Sequence, residues 1–285
     1  MIGYTVAPFS PSNERILIDA AGSWNYGIQY TGGSTSVFYV LANLDLYRHI
    51  STSAYFIGKN NIVHLDCCYR GTTGYGANAG SNHQFYNCDM YSHGWRCLNV
   101  SGQTVVRGGE YHDTTSNQIM LIGGVSTVSG VTIYGIPSGQ TGLYFSYGPA
   151  WVDHVTIDGQ NVANTTGIYM NDNADYLSVT NSIVYDCKTP IEASHALSGT
   201  HWGGWNCYNS NSNDNVNYPA ISAKHLYAPN NNINSDPLFV DAANHDYRLK
   251  FGSPCRGADN SGTGDIGALQ RREMPMPPMV SGIGV

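Results

Sequence analysis

The feature that most constrains this chain is an internal repeat. An apolar-x-apolar strand pattern, opened by Gly, Asn or His, recurs as His64–Tyr69 (HLDCCY), Asn87–Ser92 (NCDMYS), Gly108–Asp113 (GGEYHD) and Gly130–Gly135 (GVTIYG). It continues as His154–Gly159 (HVTIDG), Asn181–Asp186 (NSIVYD) and Gly204–Asn209 (GWNCYN). Taking Leu65, Cys88, Gly109, Val131, Val155, Ser182 and Trp205 as equivalent gives steps of 23, 21, 22, 24, 27 and 23 residues. A second column keeps the same period in Leu98–Gly102, Ile119–Gly124, Leu143–Gly148, Ile168–Asn173 and Ile191–Ser194. Strands at this spacing cannot bury an apolar face singly, but stacking each turn on the next does so. The period therefore predicts a coil of parallel strands, and seven rungs at about 4.8 Å each make a rod at least roughly 30 Å long.

Composition agrees. Charged residues make up 12% of the chain while Gly, Asn, Ser, Thr and Tyr are abundant, which favours strands and tight turns over helices. The apolar fraction of 41% over 285 residues suffices for a core without a metal or disulfide framework. The net charge of −7 lacks the basic footprint of a nucleic-acid binder, so no nucleic-acid partner is expected. No apolar run is long enough for a membrane span, and the opening MIGYTVAPFSPSNER lacks the pattern of a secretion signal. The seven cysteines are an odd set without paired spacing, and are expected to be buried thiols made in a reducing cell.

Side chains alternate along a strand, so the repeat also assigns outward columns. One reads Asp66, Asp89, Glu110, Thr132, Thr156, Ile183, Asn206. The next reads Cys68, Tyr91, His112, Tyr134, Asp158, Tyr185, Tyr208. Carboxylates on successive rungs would stand about 5 Å apart, within reach of a shared divalent cation or of acid and nucleophile roles in glycoside hydrolysis. Asp66, Asp89 and Glu110 are thus the catalytic candidates if the chain is an enzyme, and the plainer reading is a set of solvated surface acids. Tyr91, Tyr134, Tyr185 and Tyr208 form a candidate interface or sugar-stacking ladder, with a subunit interface preferred. His64 and His93 are assigned to core or surface, and Trp205, on an inward position, to the core. The histidines show no HxH or HExxH spacing, so no zinc site is expected, and without a Walker motif or dinucleotide fingerprint no cofactor is expected.

The segment from Ile233 to Gln270 carries Asp236-Pro237-Leu238-Phe239, Asp246-Tyr247-Arg248-Leu249, Gly252-Ser253-Pro254 and Asp265-Ile266-Gly267-Ala268. It resembles the end module of bacterial and phage right-handed parallel β-helix proteins of the pectate-lyase-like superfamily. The resemblance implies an all-β, single-stranded right-handed parallel β-helix whose last rung is capped by this module. Residues 1–31 are expected to form an irregular N-terminal arm or cap, 32–210 the rungs, 211–272 a lateral loop and the capping module, and 273–285 a Pro/Met-rich tail. Polysaccharide lyases of the superfamily pair Ca²⁺ with a basic residue, a role for which Arg107 or His112 would be the candidates.

Three functions follow as expectations. The preferred one is a structural virion component, a phage capsid decoration or cement protein or a tail or spike part, assembled in the host cytoplasm. It would act as a homo-oligomer, with a trimer favoured, and meet other virion proteins through the N-terminal arm and C-terminal tail. The second is an extracellular polysaccharide lyase or tailspike-type glycosidase. The third is a non-catalytic module that binds a host-surface glycan. No membrane partner is expected.

Overall fold

In a computed structural model the described residues are 16–19, 26–30, 39–47, 53–57, 62–173, 176–193, 201–209, 226–227 and 231–269. They form a right-handed parallel β-helix with three walls. Sheet A stacks nine strands in chain order, from Ile16–Asp19 and Leu44–Tyr47 through Cys68–Arg70, Asp89–His93, Glu110–Thr114, Thr132–Tyr134, Thr156–Asp158 and Ile183–Tyr185 to Cys207–Asn209. Sheet B stacks eight, from Tyr26–Tyr30 to Thr189–Ala193, and sheet C nine, from Tyr39–Ala42 to Leu226–Tyr227. The one short 3₁₀ helix among the described residues is Ala242–Asn244.

The two sequence columns correspond to sheets A and B. Sheet C escaped them because its outward positions Val63, Val105, Thr127 and Trp151 are themselves apolar or β-branched, so the alternation that marks a half-buried strand is erased. The rungs also start earlier and end later than expected. Ile16–Asp19 and Tyr26–Tyr30, inside the supposed N-terminal arm, already pair in register with Leu44–Tyr47 and Ser53–Ile57. Leu226–Tyr227 extends sheet C beyond His201–Gly204. The rest of 1–31, and the tail 273–285, lie outside the described residues.

Corners between sheets C and A are made by one left-handed residue per rung. Asn43, Asp66, Asn87, Gly108, Gly130, His154, Asn181 and Trp205 all have φ between 51° and 69°. Gly tolerates this conformation freely, and Asn and Asp are the side chains that tolerate it best. The residue after each corner turns inward, which stacks Cys67, Cys88, Val131, Val155, Ser182 and Asn206 in the core. The following inward column of sheet A is Leu46, Tyr69, Met90, Tyr111, Ile133, Ile157, Val184 and Tyr208. All seven cysteines are buried and free.

This register corrects both ends of the sequence alignment. Leu65 was set two residues early, since its rung turns at Asp66 and points Cys67 inward. Asp66 is therefore a corner residue and does not stand in the ladder with Asp89 and Glu110; Cys68 takes that place, opposite Asp89. Trp205 was set one residue early. It is the half-buried corner, and Asn206 is the inward residue, donating from Nδ2 to the Val179 carbonyl and accepting from the Ser182 N–H. Tyr208 consequently faces the core opposite Val184, not the outer tyrosine column.

The C-terminal module continues sheet A for one bridge, Cys207 to Ile233, and then folds back over that sheet's outer face. Its antiparallel pair Phe239–Asp241 and Asp246–Leu249 packs Phe239 and Tyr247 on Tyr134 and Ile183 in a second apolar cluster. Further along, the Gly267 N–H bonds the Asn181 carbonyl at 2.8 Å and the Ala268 N–H bonds Thr156 Oγ1 at 2.9 Å. The module is thus a flap over sheet A as well as an end cap.

Candidate functional site

The outward column of sheet A changes character halfway. Thr132, Thr156, Ile183 and Cys207 are at most 2% exposed because the flap lies on them. Asp89, half-buried, and Glu110, exposed, stand on the two preceding rungs, beside the last described residues of the flap. A shallow cleft of about 290 Å³ opens there, lined by Asp66, Asn87, Asp89, Glu110, Thr132 and the flap's Leu269. Gly109 and Gly130 line it as well.

The three acids predicted from the repeat do meet in this cleft, although by a different route. Asp89 and Glu110 are ladder neighbours, and Asp89 Oδ1 accepts the Glu110 N–H at 3.2 Å. Asp66 reaches the cleft from the corner column and accepts from Asn87 Nδ2 at 3.3 Å. Glu110 Oε2 accepts from the Tyr134 hydroxyl at 3.4 Å. Among the described residues no group of three or more His, Cys, Asp or Glu side chains converges as a metal site. Asn87, Thr132 and Leu269 were not predicted. The corner motif marks Asn87, whereas nothing local to Leu269 places it here.

Neither basic candidate lines the cleft. Arg107 ends its strand on sheet C, exposed, opposite Tyr86 and Ser129. His112 is held in a ring stack, 4.9 Å from Tyr91 and 4.2 Å from Tyr134, with Nδ1 2.9 Å from Asp113 Oδ2. The stack crosses into the flap, because His245 lies 4.1 Å from the other face of Tyr134. Tyr185 meets the flap's Phe239 edge-on at 5.6 Å. Tyr134 and Tyr185 are thus engaged by the chain's own module, and Tyr91 and His112 carry the ladder on beyond it.

The flap is fastened by polar contacts as well. His154, a corner residue, bridges Asp153 at 2.8 Å and Asp259 of the flap at 3.7 Å. Burial lowers its basicity, but the hydrogen bond to Asp153 and the charges of Asp153 and Asp259 outweigh that and raise its pKa. Asp259 itself caps the loop after it, accepting from the Ser261, Thr263 and Gly264 N–H groups.

Exposed aromatic surface lies elsewhere, at the corner between sheets B and C. Tyr144 stacks on Tyr169 at 5.0 Å and Trp151 meets Tyr176 at 5.7 Å with the rings tilted by 44°, and Trp151 is 40% and Tyr147 42% exposed.

Fold and site together define a right-handed parallel β-helix protein whose C-terminal module folds back over one wall and leaves an acidic cleft at its edge. No family model, no curated protein and no solved structure matches the chain.

Proposed function

We propose that this chain is a structural virion component of the phage type, a rigid β-helical rod that works as a homo-oligomer. The pectate-lyase-like resemblance of its end module supports the placement by analogy only. The observation that carries the reading is the outer face of sheet C. Its outward column runs Val40, Val63, Gln84, Val105, Thr127, Trp151 in register, with Val40 59% and Trp151 40% exposed. A soluble chain that stacks apolar side chains along a wall offers a surface suited to burial against another subunit. A stiff rod presenting one such wall serves assembly better than turnover. Mass measurement of the native protein tests this: an oligomer is expected, converted to monomer by Val105→Lys with Trp151→Glu. A wild-type monomer at nanomolar concentration, or a native specimen imaged with the chain absent from particles, refutes the reading.

The aromatic corner favours a second reading, a module that binds a neutral host-surface glycan, since Tyr and Trp rings stack on sugar faces. Oligosaccharide titration followed by tryptophan fluorescence, with Trp151→Ala as control, separates it from the first. The lyase or glycosidase reading is less well supported, because neither Arg107 nor His112 lines the cleft. Activity on a polysaccharide panel that disappears in Asp89→Asn or Glu110→Gln would reverse that order.

A further inference from the structure

Two thiols meet where the flap lands on the rod. Cys207 stands in the outward column of sheet A, in register with Ile183, and Cys255 belongs to the flap. Both are fully buried in one apolar cluster with Ile183, Phe239, Tyr247 and Ile266, and the two thiols are neighbours there. Cys207 Sγ also lies 3.3 Å from the Ser235 carbonyl oxygen. The backbone of Cys255 is pinned on both sides: its N–H bonds Ser253 Oγ at 3.1 Å, and its carbonyl accepts the Ile266 N–H at 2.8 Å. Neighbouring thiols on two fixed backbones can close to the roughly 2.05 Å of a disulfide by side-chain rotation.

We propose that Cys207 and Cys255 are a redox modification site, forming a disulfide that staples the C-terminal module over sheet A once the chain meets an oxidising medium. The oxidant is a small disulfide such as oxidised glutathione. One cysteine thiolate attacks a glutathione sulfur, giving a mixed disulfide and releasing one glutathione. The second cysteine, deprotonated in turn, attacks the protein sulfur of that intermediate and expels the other glutathione. Two electrons and two protons leave the pair, and one oxidised glutathione becomes two reduced ones. Burial sets the timing: the exchange runs during folding or while the flap is lifted, and the closed flap then shields the bond from reductant.

A bond here joins elements 48 residues apart in sequence (255 − 207), and closing so long a loop removes considerable freedom from the opened state. The other thiol contact, Cys67 with Cys88, links neighbouring rungs that sheet A already holds together. The proposal is independent of the virion reading.

The test uses the full chain, refolded in a glutathione redox buffer, alkylated in denaturant and digested without reductant. A peptide pair linked through Cys207 and Cys255 is expected. Cleavage within residues 236–269 by limited proteolysis is expected to be on the order of tenfold slower than in the reduced chain. Cys207→Ser and Cys255→Ser should each abolish both effects. Full alkylation of both cysteines after oxidation, or linkage of either to another cysteine, overturns the proposal, and those wild-type readouts stand even if a variant folds poorly. A linked chain cleaved as fast as the reduced one overturns the stapling role.

Discussion

The Tyr247 hydroxyl donates a 2.9 Å hydrogen bond to Asp158 Oδ2 across 89 residues of sequence, and both side chains are at most 3% exposed. This contact ties the flap to the wall it covers. Burial raises the pKa of Asp158, and the Gln160 N–H and the Tyr247 hydroxyl offset part of that rise.

Removing the hydroxyl in Tyr247→Phe keeps the packing and strips a buried carboxyl of a donor. A loss of about 1.5–3 kcal/mol is expected for a hydrogen bond to an ionised group. Because the variant's Asp158 holds its proton to higher pH still, the loss grows as pH rises and the carboxyl must ionise. Denaturant unfolding at two pH values checks this; an equal loss at both would show that Asp158 is not the partner that matters.

Tyr111→Phe should behave oppositely. The Tyr111 hydroxyl is buried in the core and has no hydrogen-bond partner among the described residues, so deleting it removes a desolvated polar group and no contact. Stability is expected to stay level or to rise by up to about 1 kcal/mol. A loss comparable to that of Tyr247→Phe would mean that the Tyr111 hydroxyl is satisfied in solution.

Two glycines with left-handed backbones separate steric need from conformational preference. A Cβ at Gly109 (φ +92°) would sit 2.0 Å from the Cys88 carbonyl oxygen, whereas one at Gly139 (φ +73°) meets nothing within 4 Å. Gly139→Ala should cost about 1–2 kcal/mol for the left-handed conformation alone. Gly109→Ala must also move a rung, so its loss should exceed that of Gly139→Ala clearly, by thermal unfolding. Comparable losses would mean that the rung yields easily.

The middle rungs were legible because Val131-Thr132-Ile133 and Val155-Thr156-Ile157 alternate cleanly between apolar inward and polar outward residues, whereas Ser182-Ile183 reverses that pattern. The ends were not. At Leu65-Asp66-Cys67-Cys68 the two candidates Leu65 and Cys67 lie one full period of alternation apart, so alternation cannot choose between them as the inward one. The corner residues held the answer: Asn43, Asp66, Asn87, Gly108, Gly130 and Asn181 are all types that tolerate positive φ, and aligning them instead of the apolar positions gives the observed register. The flap's course was half written in the outward column, where Asp89 and Glu110 give way to Thr132, Thr156, Ile183 and Cys207. What covers those positions was unreadable, because contacts such as Tyr247 with Asp158 join segments that no local period relates.

The histidines set two opposed pH dependences. His93 is fully buried, with Nδ1 2.7 Å from Thr72 Oγ1 and Nε2 3.0 Å from the Tyr69 carbonyl oxygen; burial pushes its pKa down to about 3. His64, stacked 4.1 Å from Phe85, is lowered by burial and by the nearby His83. A depressed folded-state pKa means that the unfolded chain takes up the proton first. The stability these two supply is therefore present above about pH 6.5 and lost as pH falls below it, at up to about 1.4 kcal/mol per unit for each sealed imidazole. His154 is raised, so the stability it gives the flap is present below about pH 6.5 and lost as pH climbs through its folded value. Its partners Asp153 and Asp259 are both lowered, so their contribution is constant above about pH 5. Two sealed groups outweigh one partly exposed bridge, so global stability should rise from about pH 5 to about pH 7 while the flap loosens. Denaturant unfolding reads the first trend and hydrogen exchange in residues 236–269 the second. His154→Asn, which keeps a residue suited to φ +51°, should flatten the exchange trend and leave the global slope; flap exchange that slows with rising pH, after correction for intrinsic rates, would rule the bridge out.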